Sequence, residues 1–102
     1  MSGVVLGRVL WHAVYSKTGT YTVVRDGIKP GWYTFTAEAT GVYIKMWKCD
    51  GTWSDYTSRG LYLERGAVRS FYLADGQFSY YLPAGGRLRL EHVKPISPYT
   101  SR

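Results

Sequence analysis

The sequence predicts an all-β protein, an antiparallel β-sandwich of about eight short strands, jelly-roll or immunoglobulin-like in topology, with no substantial helix. Three observations predict it. Turn signals built from Gly, Pro and Asp recur about every ten residues, and the segments between them alternate with period two. Aromatic residues make up 17% of the chain, and such residues suit the pleated, half-buried surface of a sheet. No segment of helical length carries an apolar stripe of 3.6-residue period. A closed barrel is the alternative arrangement of the same strands.

The elements follow in order. Val4 to Tyr15 reads as a long first strand with a bend at Gly7, closed by the turn Ser16-Lys17-Thr18-Gly19. Thr20 to Arg25 is a β-branched strand, and Asp26-Gly27 is a hairpin-type turn pair. Ile28-Lys29-Pro30-Gly31 resembles a second turn, in which Pro fixes φ and Gly accepts positive φ. Trp32 to Glu38 and Val42 to Cys49 are the next strands, ended by Thr40-Gly41 and Asp50-Gly51. Thr52 to Ser58 is polar and aromatic without a clean period. Leu61 to Glu64 is a short strand before Arg65-Gly66, and Ala67 to Ala74 is expected to form a hairpin with Gln77 to Leu82 across Asp75-Gly76. After the loop Pro83 to Gly86, Arg87 to Val93 is the last strand.

Alternation also assigns faces. Val42, Ile44 and Met46 oppose Tyr43, Lys45 and Trp47; Phe71 and Leu73 oppose Ser70 and Tyr72. Phe78, Tyr80 and Leu82 oppose Gln77, Ser79 and Tyr81, and Leu88 and Leu90 oppose Arg87, Arg89 and Glu91. The first set of each pair suits a core. A chain of 102 residues fits one domain, here 1–93, followed by an exposed tail over 94–102 that carries Pro95 and Pro98.

The net charge of +6 permits an acidic partner, although the basic residues never run together beyond Arg87-Leu88-Arg89. With Cys49 the only cysteine, no intrachain disulfide forms, which leans towards assembly in a reducing cytoplasm. Arg8 and His12 break the one apolar stretch near the start, so neither a signal peptide nor a membrane helix is expected.

Catalysis is not expected. His12 and His92 fall in regular strands, Cys49 has Lys48 and Asp50 as neighbours, and these residues lack metal-ligand spacing. Asp26, Asp50 and Asp75 each precede a Gly in a turn, where Asp is favoured for backbone reasons. No phosphate-cradling glycine motif is present, and no cofactor or metal is expected.

Binding is the remaining class. Tyr43, Trp47, Trp53 and Tyr56 cluster around the Asp50-Gly51 turn as a candidate aromatic surface for a protein interface or a glycan. Lys45, Lys48 and Arg59, with Arg87 and Arg89, form a candidate basic surface. Asp50 and Asp55 within the same cluster argue against single-stranded nucleic acid as the partner. Self-assembly would cover the aromatic excess and the edge strands that any open sheet leaves unpaired.

The stretches Ile28-Lys29-Pro30-Gly31-Trp32-Tyr33-Thr34-Phe35, Asp75-Gly76-Gln77-Phe78 and Pro83-Ala84-Gly85-Gly86-Arg87-Leu88-Arg89-Leu90-Glu91 resemble small β-sandwich accessory proteins of tailed bacteriophage particles. The resemblance implies a head-decoration, cement or tail-accessory subunit, often a trimer, made in the host cytoplasm and bound to other virion proteins. The alternative is a carbohydrate-binding module that stacks sugars on Trp47, Trp53 and Tyr56.

Overall fold

The computed structural model describes residues 7–47 and 59–95. Eight strands run through them: β1 (Gly7–Tyr15), β2 (Gly19–Thr22), β3 (Gly31–Ala37), β4 (Val42–Trp47), β5 (Arg59–Leu63), β6 (Val68–Leu73), β7 (Gln77–Tyr81) and β8 (Leu88–Pro95). They form two four-stranded sheets, ordered β1-β8-β3-β6 and β2-β7-β4-β5. Every strand pair is antiparallel. Only β4 and β5 are both consecutive and paired; every other connection crosses from one sheet to the other. That double crossing is the jelly-roll order, which settles the choice against the immunoglobulin-like sandwich and the barrel.

The crossing corrects one expectation. The segments flanking Asp75-Gly76 do not form a hairpin: β6 pairs with β3, while β7 pairs with β2 and β4. The turn reverses the chain, and Gly76 takes positive φ as expected. Turn chemistry, however, does not decide whether the two strands hydrogen-bond. Phe71 and Leu73 on one side and Phe78 and Tyr80 on the other each carry a buried face, so the strands instead face each other across the core. Asp26-Gly27 likewise links strands of different sheets.

The core follows the alternation. Tyr33, Phe35 and Ala37 of β3, Leu88 and Leu90 of β8 and Leu73 of β6 pack against Val42, Ile44 and Met46 of β4 and Phe78 of β7, all nearly or fully buried. Phe35 makes edge-on contacts with Phe71 in its own sheet and Phe78 in the other, at 5.7 and 5.6 Å between ring centres. On the outer face of the first sheet, the buried Thr34 and Ser70 hydroxyls hydrogen-bond at 2.9 Å.

Three boundaries move by two residues or more, the first being the start of β5, at Arg59 where Leu61 was expected. The second strand stops at Thr22 because Val24 adopts φ +75, which no strand tolerates. The last strand continues past Val93 to Pro95, whose register partner is Gly7 of β1. Its β3 neighbour ends at the Trp32–Val93 pair, so Pro95 needs no donor on that side. The remainder of the expected tail, 96–102, lies outside the described residues, as do 1–6 and 48–58.

Candidate functional site

The structure brings together only part of the aromatic and basic surfaces read from the sequence. Trp53, Tyr56 and Lys48 lie outside the described residues, Trp47 closes β4 opposite Gln77, and Arg59 opens β5 opposite Met46. Arg87 and Arg89 are not free cations. Both donate to the Glu38 carboxylate, at 3.4 and 2.8 Å, and Arg89 also lies 3.8 Å from Glu91. The hydrogen bond from Arg89 is the main reason the Glu38 carboxyl is held below its ordinary range. Lys45 remains exposed on β4.

Tyr43 does belong to an exposed aromatic surface, with partners that lie elsewhere in the chain. It pairs with Tyr62 of β5 on one side and Tyr81 of β7 on the other. Three exposed phenol rings therefore form one row across the outer face of the second sheet, spanning ~10 Å at the usual spacing of adjacent strands. Tyr43 and Tyr62 lie over Gly60 and Gly41, where any Cβ would strike their hydroxyls. The signal for Tyr62 and Tyr81 was present in the sequence: each falls on the polar side of an alternating strand.

The larger exposed feature is β1. It is an edge strand of nine residues, while β2, also an edge strand, has four. Tyr15 meets Tyr21 of β2 and Tyr80 of β7 at 5.2 and 5.3 Å, which closes one end of the sandwich. β2 is too short to cover the first half of β1. Leu10 and Trp11 are consequently left 50% and 42% exposed, while Val9 and Val14, opposite Val93 and Arg89 in the β1–β8 register, stand on the outer face of the first sheet, 46% and 43% exposed.

Beneath that overhang is a cavity of about 300 Å³ lined by Leu10, Trp11, Gly27, Lys29, Tyr33 and His92. Successive strand residues normally point to opposite faces. Here the β1–β8 register slips between Val9 and Trp11, and this bulge turns Leu10 and Trp11 towards the same cavity. Tyr33 is 1% exposed and stacks on His92 at 4.5 Å. Gly31 takes φ +152, and a Cβ there would stand 2.5 Å from His92 Nε2, so the bare glycine makes room for the imidazole. The Tyr33 hydroxyl donates to the Lys29 carbonyl at 2.6 Å, which fixes the connection that carries Lys29. Burial first, and the Lys29 charge second, lower the His92 pKa and leave the ring neutral at pH 7.

The other histidine, His12, is exposed and stands opposite Glu91 in the β1–β8 register. Among the described residues, no group of three or more His, Cys, Asp or Glu side chains could hold a metal ion, and no helix is long and apolar enough to cross a membrane. No family model, curated protein or solved structure matches the chain.

Proposed function

We propose that the chain is a non-enzymatic assembly protein, an accessory subunit of a bacteriophage particle, whose copies associate symmetrically through β1. The observation that carries this reading is the apolar edge: Val9, Leu10, Trp11 and Val14 on a strand that pairs on one side alone among the described residues. Monomeric proteins blunt such edges, because unpaired backbone groups beside apolar side chains invite another chain. Closed symmetric assembly covers the edge without opening the way to fibres. Jelly rolls recur in viral shells and in lectins, so the fold alone does not choose between them. The phage placement is supported by the resemblance of the residue 28–35, 75–78 and 83–91 stretches to accessory virion proteins. The test is light scattering over a wide concentration range. The reading predicts a closed oligomer, dispersed when Val9 and Val14 are replaced by Lys.

A second reading is carried by the tyrosine row. Tyr62, Tyr43 and Tyr81 offer a row of exposed aromatic side chains on adjacent strands, of a width that accepts adjoining sugar rings. A glycan array distinguishes it: hits lost on Tyr43→Ala support carbohydrate binding, and an empty array removes it.

A further inference from the structure

We propose that the cavity beneath the β1 bulge is a binding site for an aromatic carboxylate. Leu10 and Trp11 belong both to the apolar edge of β1 and to this cavity, so the two readings share these residues and are separated by the readouts below. Its walls are apolar and flat: the Trp11 indole, the Leu10 side chain, and the Tyr33 and His92 rings stacked at 4.5 Å. About 300 Å³ accommodates one six-membered ring with a short arm, at the small end of ligand cavities. Among the described residues that line it, Lys29 is the charged side chain and none is a carboxylate. The position of Lys29 is held by the Tyr33 hydroxyl on its carbonyl.

Construction, not accident of packing, distinguishes this cavity. A bulge re-aims a side chain at a cost in strand pairing, and such bulges concentrate beside functional sites. Here it directs two consecutive large apolar residues to one opening, where a regular strand would supply one. Gly31 spares the space that His92 fills. A ring in the cavity would stack on Trp11, and its carboxylate would meet the Lys29 ammonium at the rim. The imidazole, neutral at pH 7, offers a hydrogen bond to the same anion.

The chemistry has two sources, a free aromatic acid or the C-terminal aromatic residue of another chain. Calorimetric titration of the full chain with phenylacetate, phenylacetamide and N-acetylphenylalanine tests the site. Phenylacetate is expected to bind saturably, and phenylacetamide roughly fivefold more weakly, since Lys29 is exposed and its ion pair is partly screened. Lys29→Met should bind both alike, and Trp11→Ala should bind neither. Arg65→Ala, which removes an exposed cation from the β5–β6 turn, should titrate like the wild type. N-acetylphenylalanine binding tighter than phenylacetate supports the site and assigns it to a peptide C-terminus; the reverse order supports it and assigns it to a free acid. Absence of saturable heat, equal affinity for acid and amide, or an Arg65→Ala loss matching Lys29→Met overturns the proposal. Light scattering on the same samples reads mass separately, so failure of ligand binding and failure of assembly are told apart.

Discussion

Val24 is the one non-glycine residue with positive φ among the described residues, at +75. A β-branched side chain in the left-handed region costs about 1–2 kcal/mol, because Cβ crowds the following carbonyl. The surroundings hold it there. The Val24 N–H donates to the Ile28 carbonyl at 2.8 Å, and the Gly27 N–H donates to the Val24 carbonyl at 3.1 Å. The Thr22 N–H donates to the Asp26 carboxylate at 2.7 Å. On either side Val23 and Ile28 are buried and anchor the loop. The Val24 side chain is 63% exposed, so little burial is lost when it is replaced. Asn occupies this region several-fold more readily than other residues, equivalent to ~1 kcal/mol. Less the apolar contact removed, Val24→Asn should stabilise the fold by about 0.5–1 kcal/mol. For a domain of this size that raises Tm by roughly 2–8 °C. Urea denaturation with an unchanged m-value is the assay. Unchanged or reduced stability would refute the account of the strain.

Three further predictions address the core and the ionisable groups. Phe35→Ala should cost about 3–5 kcal/mol in urea unfolding, because its ring touches Phe71 and Phe78 and links the two sheets. Burial pushes the Tyr33 phenol from its ordinary value near 10 up to about 12. Its contribution, ~3 kcal/mol, is therefore complete below pH 10 and lost as pH rises through 12. Tyr15, also raised to about 12, adds to the same alkaline loss. Absorbance at 295 nm should show these phenols ionising with unfolding, and full ionisation of all tyrosines in a folded protein contradicts it. Glu38 has the opposite sign: its lowered pKa makes its stabilisation present above the ordinary carboxylate range and lost as pH falls through the lowered value. Glu38→Gln should flatten the acid limb of the stability profile, and an unchanged limb shows that the Arg87 and Arg89 pairings contribute nothing.

The strands and the core were legible because alternation is local. Val42, Ile44 and Met46, or Leu88 and Leu90, declare their buried face within one short segment, and the structure buries all five. Sheet membership was not legible. Asp75-Gly76 specifies a reversal, and whether the flanking strands pair or face one another depends on β3, some forty residues upstream. The bulge at Leu10 was hidden for a similar reason: it exists only in the register between β1 and β8, at opposite ends of the chain. The exposure of Leu10 and Trp11 was not legible either, because it follows from the shortness of β2 in the facing sheet. Tyr43 was found, but its row with Tyr62 and Tyr81 requires the β5-β4-β7 pairing. Arg87 and Arg89 looked free because Glu38 approaches them only through the neighbouring β3–β8 contact.

The central claim is that β1 is the assembly edge, and solution mass tests it most directly. Light scattering of the wild-type chain and of the Val9→Lys, Val14→Lys double variant should be compared across a wide range of concentrations. Both valines lie exposed on β1 and neither lines the cavity, so the variant should keep its unfolding midpoint. The account predicts a stable oligomer for the wild type and a monomer for the variant. A wild type that stays monomeric throughout, or an oligomer indifferent to both lysines, would contradict it.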